Sequence, residues 1–492
     1  MRPGLIGRIA RRVGATPTES SRREFLKGTL AGAGMLMAGP MARAQGSRPR
    51  VVIVGAGFAA LSCGFQLRRA GAHVTLIEAR NRVGGRVLSF RDFIAGRVVE
   101  GGGELIGSNH PMWMAYGNQF GLKFSDVTEL EQDKAPIMLE GKRYSGSDLV
   151  ELWEGLQDAL ENMVGDARTV NLDEPWKTPD AKRLDNASVA SKFASWKLDD
   201  TARKGALTLL SNDHGSWPDR ESYLGAISTV AGGGYEKYWV ESEVYRCIGG
   251  NQQLAFKLAA AIGWEYIQLD APVSRIRLTD SGVAVHRADG GLVEGDLVVL
   301  TAPPPTWKHI EIEPVLPAGY QPFTGPTVKF LSRVSRPYWR RAGVQAISLT
   351  DTAVGETWES TDGQGSRDNQ SSGLTVFSGG KAAQACLDMA PAERASKLGD
   401  ILNTIYPGYS AHVEATRFMG WPEEKWTLCG YSSPTVGQVT SIYPKLAAGF
   451  RDRLFFAGEH TSLLFTGYME GGLNSGARVA QKLAGKLGLS RS

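Results

Sequence analysis

Fully apolar short runs alternate with amphipathic stretches along this chain, and the alternation changes character in blocks. Val51–Val54 is apolar and β-branched, the pattern of a strand buried on both faces. Helical spacing through Leu61, Phe65 and Leu67 follows, and a second apolar strand is predicted at His73–Ile77. From about 108 the rhythm is different. Leu149, Leu152, Trp153, Leu156, Leu160 and Met163 recur at helical spacing, with Glu151, Glu154, Asp158 and Glu161 on the opposite, solvated face. The stretch up to 248 is rich in Trp, Tyr and Gly and has no parallel-strand rhythm, which predicts an inserted, mostly helical block. Near Gly249 the strand–helix alternation returns. A helix over Gln253–Ile262, a strand around Tyr266–Leu269 and strands at Val283–Arg287 and Leu292–Thr301 precede a proline run at 303–305 that reads as a crossing between domains. After a second inserted block comes an apolar run in Arg453–Glu459, then a closing helix predicted from Ser475 to Leu487.

This order predicts an α/β protein, a split Rossmann-like domain with an inserted α+β substrate domain. The nucleotide-binding parts are 48–107, 249–305 and 430–492, and the substrate parts are 108–248 and 306–429. The turn after the first strand, Gly55 to Ala60, supports a dinucleotide site. Gly55 permits the tight turn, Gly57 lets backbone approach a pyrophosphate, and Ala60 is small enough for close helix–strand packing. The helix N-terminus offers N–H groups to phosphates, and Glu78, ending the second strand, can accept from a ribose hydroxyl. These features alone do not separate NAD from FAD.

Charge and composition add a leader. The chain of 492 residues has a net charge of +4, but residues 1–44 hold eight Lys/Arg against two Asp/Glu. Without them 47 basic and 49 acidic residues remain, so nothing in the balance argues for nucleic acid. Ser21-Arg22-Arg23-Glu24-Phe25-Leu26-Lys27 is a twin-arginine motif, followed by a mildly apolar run and Ala42-Arg43-Ala44 as a cleavage site. The run is shorter than the roughly 20 residues a spanning helix needs. The expectation is a periplasmic or secreted protein, cleaved after Ala44 and without a transmembrane anchor thereafter. Cys63, Cys247, Cys386 and Cys429 show no paired spacing, and the seven histidines show no metal-ligand spacing, so no metal is expected.

Further blocks then carry a family resemblance: Arg82-Val83-Gly84-Gly85-Arg86, Gly102-Gly103, Val273, Lys329, Ala457-Gly458-Glu459 and Gly467-Tyr468-Met469-Glu470-Gly471. With the Gly55–Glu78 fingerprint, they stand in the order of the flavin-dependent amine oxidases, which the chain resembles from Arg50 to Leu487. The resemblance implies FAD, with Glu78 on the adenosine ribose and Gly55–Ala60 under the pyrophosphate. Gly84, Gly85, Arg86, Gly102, Gly103 and Glu104 would serve the ribityl and flavin side. Val273 would hold adenine through its backbone, Gly458-Glu459 the ribityl chain, and Gly467 and Met469 the flavin's pyrimidine edge.

The same resemblance assigns the catalytic side chains. Tyr431 and Tyr468 match the paired aromatics before the flavin, whose ring faces attract an amine. Lys329 matches the lysine that reaches flavin N5 through a water. It implies oxidation of an amine C–N bond by hydride transfer to N5, with the imine hydrolysed to an aldehyde plus ammonia or a smaller amine. Oxygen, or another periplasmic acceptor, would then take the electrons, with hydrogen peroxide as the product from oxygen. Two departures matter. Gly430 stands where monoamine oxidases carry the flavin-linked cysteine, with Cys429 one position early, so non-covalent FAD is expected. Leu105 stands where L-amino-acid oxidases hold the substrate carboxylate with arginine, which weighs against an α-amino acid. Glu104, Glu241 or Glu243 could meet a distal ammonium of a small-molecule amine substrate. The alternatives are an L-amino-acid oxidase with a relocated carboxylate anchor, an amine dehydrogenase using a cytochrome or quinone, and a flavin-bearing binding protein. The intact Lys329, Tyr431 and Tyr468 argue against the last. A homodimer is compatible with the resemblance.

Overall fold

The computed structural model describes residues 48–127, 135–365 and 369–489. The leader, with its twin-arginine motif, lies outside the described residues. Arg50–Val54 is the central strand of a five-stranded parallel sheet. It pairs with His73–Ile77 on one side and Leu297–Leu300 on the other; Ile267–Gln268 and Leu454–Phe456 complete the edges. Its apolar run is needed because both faces are covered. Val51 and Ile53 enter one buried cluster, and Val52 and Val54 the other. Each such side chain contributes about 1.5–3 kcal/mol on burial. Because consecutive strands leave the central one in opposite directions, a crevice opens at the carboxyl end of Val54, the usual place for a ligand in such sheets.

Helix Phe58–Arg69 packs on this sheet together with Met469–Lys486, so that the first and last segments of the chain meet. The closing helix starts six residues before the predicted Ser475. The Glu470-Gly471-Gly472 stretch reads locally as a loop, but tertiary packing selects helix. A Cβ at Gly471 would overlap the Phe465 carbonyl oxygen, and buried Glu470 accepts from the Met112 and Trp113 backbone N–H groups at 3.0 and 2.9 Å. The predicted strand over Leu292–Thr301 is divided. Leu292–Gly295 joins a four-stranded sheet, while Leu297–Leu300 joins the parallel one. Glu311–Glu313, on the far side of the proline run, pairs in parallel with Val273–Leu278 in that four-stranded sheet.

The first inserted block is mainly helical, led by Gly146–Ala167, Asp200–Asp213 and Tyr223–Gly232. It also supplies two short strands, Ile137–Leu139 and Lys142–Tyr144, to a seven-stranded sheet otherwise built from 327–420. Strands Thr327–Val334, Ser372–Gly379 and Glu356–Glu359 form its centre. Helices Gly380–Leu387 and Arg394–Ile405 contribute to the apolar cluster on one side of the sheet, and the other side faces the nucleotide crevice. Among the described residues, no helix is long and apolar enough to cross a membrane.

Candidate active site

One cavity runs from the end of the Arg50–Val54 strand to the seven-stranded sheet. Its near end is glycine-built. Gly55 adopts φ +115°, and a Cβ there would overlap Thr301 Oγ1, so no other residue fits the turn. Gly57, at the N-cap of Phe58–Arg69, provides no side chain to cap the helix and lies against Gly85. A Cβ at Gly102 would overlap the Arg86 carbonyl oxygen. Ala60 is fully buried beneath the turn, Met469 stands over Gly103, and Gly84, Gly458 and Val273 line the wall. Backbone is thus brought to a long cleft from several directions, with two helix N-termini opening into it, at Gly57 and Tyr468. These features fit a flavin dinucleotide.

Two carboxylates organise this end. Glu78 is buried and accepts from the Ala56 and Arg80 backbone N–H groups at 2.7 and 2.9 Å. Burial raises its pKa, those two hydrogen bonds opposing the rise. Glu459, expected along the ribityl chain, is already busy. It accepts from Arg86 at 2.8 Å, the Ser432 hydroxyl at 2.5 Å and the Gly467 N–H at 3.0 Å, joining three distant blocks. Burial opposes its charge, yet Arg86 holds its carboxyl below the usual range. Arg80, Trp421, Trp426 and Thr427 also line the cleft, and Arg80 donates to Thr427 Oγ1 at 2.7 Å. Sequence reasoning missed all four, because no local pattern marks a lone side chain that meets a cleft only in three dimensions.

Lys329 is buried in the middle of the cavity wall. Its ammonium donates to Glu104 Oε2 at 2.6 Å and to the Glu100 carbonyl at 3.3 Å. Glu104 Oε1 accepts from Arg246 at 2.9 Å and from the Trp358 indole at 2.9 Å. Arg246 in turn is paired with Asp362. Burial works against a charged Glu104, but Lys329 and Arg246 keep its carboxyl below the ordinary value. Glu104 was expected to face the flavin side or a substrate ammonium. It lines the cavity beside Gly103, but its oxygens are committed to this network, so it positions Lys329 rather than meeting a substrate ammonium. Arg246 carries no sequence signal of its own; only the fold places it there.

Tyr431 and Tyr468 line the same cavity, at the end away from the glycine turn. The Tyr431 ring lies between Gly467 and Gly215, where a Cβ on either would press on it, and its hydroxyl donates to the Asp213 carbonyl at 2.6 Å. The Tyr468 hydroxyl donates to Tyr238 at 3.2 Å. Gly430, just before Tyr431, has no room for a side chain, because a Cβ would overlap Thr327 Oγ1. Cys429 is buried and not among the lining residues, and burial pushes its thiol up to about 11. Leu105 lines the cavity too, and among the described lining residues the arginines are Arg80 and Arg86, both at the nucleotide end. Glu241 accepts from Ser108 at 3.1 Å, while Glu243 reaches the cavity. Asp213 and Glu356 join it there, and the sequence pointed to neither.

Comparison with known proteins agrees with this geometry. Residues 58–484 match the family described as flavin containing amine oxidoreductase. The Dictyostelium discoideum protein named "Probable flavin-containing monoamine oxidase A" is 24% identical over 457 residues, covering 89% of this chain and 98% of that protein. A nicotine dehydrogenase of Pseudomonas putida is 25% identical over 439 residues, covering 88% of each. Among solved structures, wild-type putrescine oxidase bound to putrescine superposes with a TM-score of 0.80 at 24% identity. That match covers 89% of this chain and 99% of the other.

Proposed function

The chain belongs to the flavin-containing amine oxidoreductase family, as an FAD-dependent oxidoreductase, and from that premise we propose that it oxidises the C–N bond of an amine rather than of an α-amino acid. The supporting observation is the polarity of the substrate end. Leu105, Asp213, Glu243 and Glu356 line it, and the lining arginines lie elsewhere. A carboxylate brought there would be desolvated beside other carboxylates, and the lining ammonium of Lys329 is already paired with Glu104, whereas an amine finds acceptors to receive it.

FAD, when bound, would supply the two-electron acceptor for the hydride leaving the amine's α-carbon, the C–N bond becoming C=N, and would pass the electrons on to an acceptor. The residues that would hold it are the Gly55–Ala60 turn, Glu78, Gly84–Arg86, Gly102, Gly103, Val273, Gly458, Glu459, Gly467 and Met469. It would be held without a covalent bond, since position 430 has no room for a cysteine side chain and Cys429 is not among the residues that line the cavity. Tyr431 and Tyr468 orient the amine through their ring faces, their hydroxyls being tied to Asp213 and Tyr238. Lys329, paired with Glu104 at 2.6 Å, places an ammonium in a water-poor cavity and supports oxygen as the acceptor. Relatives are named both as oxidases and as dehydrogenases. The test is therefore a panel of primary amines and L-amino acids, read as anaerobic flavin bleaching and then as peroxide release in air. Amines should bleach the flavin and yield peroxide. Bleaching by amino acids alone would reverse the substrate assignment, and bleaching without peroxide would assign an acceptor other than oxygen.

Export is the second part of the proposal, resting on the Ser21–Lys27 motif and the Ala42–Ala44 site. Activity should appear in the periplasmic fraction with an N-terminus at Gln45, and the Arg22→Lys, Arg23→Lys pair should retain it in the cytoplasm. Periplasmic activity from the paired variant would rule out this route.

A further inference from the structure

We propose that His214, clamped by Glu221, is a positioning residue for amine oxidation: with the carbonyls beside it at the end of helix Asp200–Asp213, it sets the spacing of the Tyr431–Tyr468 pair. This rests on the amine-oxidising reading above and goes on to what holds its tyrosines in place.

The last carbonyls of a helix have no partner within it, and this helix turns two of them toward a tyrosine. The Tyr431 hydroxyl donates to the Asp213 carbonyl at 2.6 Å and lies 3.4 Å from that of Asn212. His214, the next residue, caps the helix and serves the other tyrosine. Its Nε2 stands 3.5 Å from the Tyr238 hydroxyl, which accepts from Tyr468 at 3.2 Å. Gly215 then turns the chain at φ +57°, and a Cβ there would press on Thr327 and on the Tyr431 ring. Tyr431 opens a short strand and Tyr468 caps the closing helix. One turn, 212–215, thus meets both hydroxyls, one directly and one through Tyr238.

The turn is itself held. His214 Nδ1 bonds Glu221 Oε1 at 2.6 Å, and the two side chains are 9% and 3% exposed. Glu221 Oε2 has no hydrogen-bond partner among the described residues, so the carboxyl group is committed to this imidazole. Its backbone is fixed as well. The Glu221 carbonyl accepts from the Val189 N–H at 3.0 Å, and Ser222 caps helix Tyr223–Gly232. Burial opposes a charge on His214, but Glu221, and then Asp213, outweigh it and raise the imidazole above its ordinary value. A buried pair of this kind adds little stability over apolar packing; what it adds here is direction. Charged His214 donates from both nitrogens, and the Tyr238 oxygen, with two lone pairs, accepts from Nε2 as well as from Tyr468. A bond of 3.5 Å is long, and the charge strengthens it.

Tyr238 has little freedom to turn elsewhere. It is buried, packs edge-on to Trp239 at 4.7 Å, and lies so close to Gly233 that a Cβ there would overlap it. Tyr468 also meets His110 edge-to-face at 5.3 Å. That contact borders the ring, and the hydroxyl bond fixes its far end. The slot must aim an α-carbon, and a misplacement of about 1 Å can cost about a hundredfold in rate.

The test separates the two partners of His214. His214→Asn leaves an amide that reaches Glu221 and is too short for Tyr238. His214→Gln reaches Tyr238 and leaves Glu221 unpaired, and Tyr238→Phe removes the link alone. Each flavin-loaded variant is unfolded in denaturant. Its reduction by a primary amine that bleaches the parent is followed anaerobically by rapid mixing, which gives a limiting rate and a dissociation constant. His214→Asn and Tyr238→Phe should slow the limiting rate roughly tenfold to hundredfold, with the dissociation constant changed far less and stability nearly kept. His214→Gln should recover most of the rate while losing the most stability, since it strands a buried carboxylate. A merely structural role cannot produce that reversed order of rate and stability. Parent-like reduction in Tyr238→Phe, or rates that follow stability across the three variants, overturn the proposal. If no amine of the panel bleaches the parent, the amine-oxidising reading falls and this inference with it.

Discussion

Replacing Lys329 with methionine is expected to slow reoxidation of the reduced enzyme by oxygen about a hundredfold or more, the loss typical of removing one preorganised charge from a dry site. Anaerobic reduction by a good amine should change far less. The fold should tolerate the substitution, because Glu104 keeps Arg246 and Trp358 as donors at 2.9 Å each and is not left bare. Methionine fills much of the lysine stem's volume and removes only the ammonium. Rapid-mixing measurements of the two half-reactions check this separately. Equal slowing of both would place Lys329 in the amine step, and no slowing of reoxidation would remove it from the chemistry.

Glu104→Gln is expected to act in the opposite order, on stability first. Glu104 is the anion for two buried cations, Lys329 at 2.6 Å and Arg246 at 2.9 Å. Arg246 retains Asp362, but among the described residues Lys329 keeps the Glu100 carbonyl at 3.3 Å and the Trp358 ring at 5.3 Å, with no anion. Breaking one side of a buried pair costs about 3–5 kcal/mol, most of it the penalty for the charge left behind. Denaturant unfolding of the flavin-loaded protein should register a loss of that size. The double variant Glu104→Gln, Lys329→Met should recover part of it, since the stranded ammonium is gone. No loss in the single variant would mean that the pair is not buried as the structure places it.

The cofactor end was legible because its constraints are local. Gly55 is needed by a single backbone angle, Glu78 directly follows the strand His73–Ile77, and both lie within one strand–turn–helix–strand unit. The parallel sheet was legible for the same reason, as its strands are short apolar runs covered on both faces. The closing helix was misjudged because glycines chosen for close packing against Phe465 and Ala59 look like a loop when read in isolation. The network around Glu104 was not legible for a related reason. The acid's neighbours in the chain are glycines and Leu105, while the neighbours that determine its role, Arg246, Lys329 and Trp358, come from three other segments.

The substrate end lies at the far limit of this difference. Asp213 ends a helix of the first inserted block and Glu356 begins a strand of the second, 143 positions apart, and neither sits in a recognisable pattern. By itself the sequence determined a dinucleotide turn and the split α/β plan, because glycine turns and buried strands constrain residues a few positions apart, while FAD, the tyrosine pair and Lys329 came from the family resemblance that its motif order carries. Only the tertiary structure decided which of the cavity's acids holds Lys329 and which line its substrate end. Coulombic and hydrogen-bonding partners of a buried charge are set by distance in space, and packing alone brings such distant segments together.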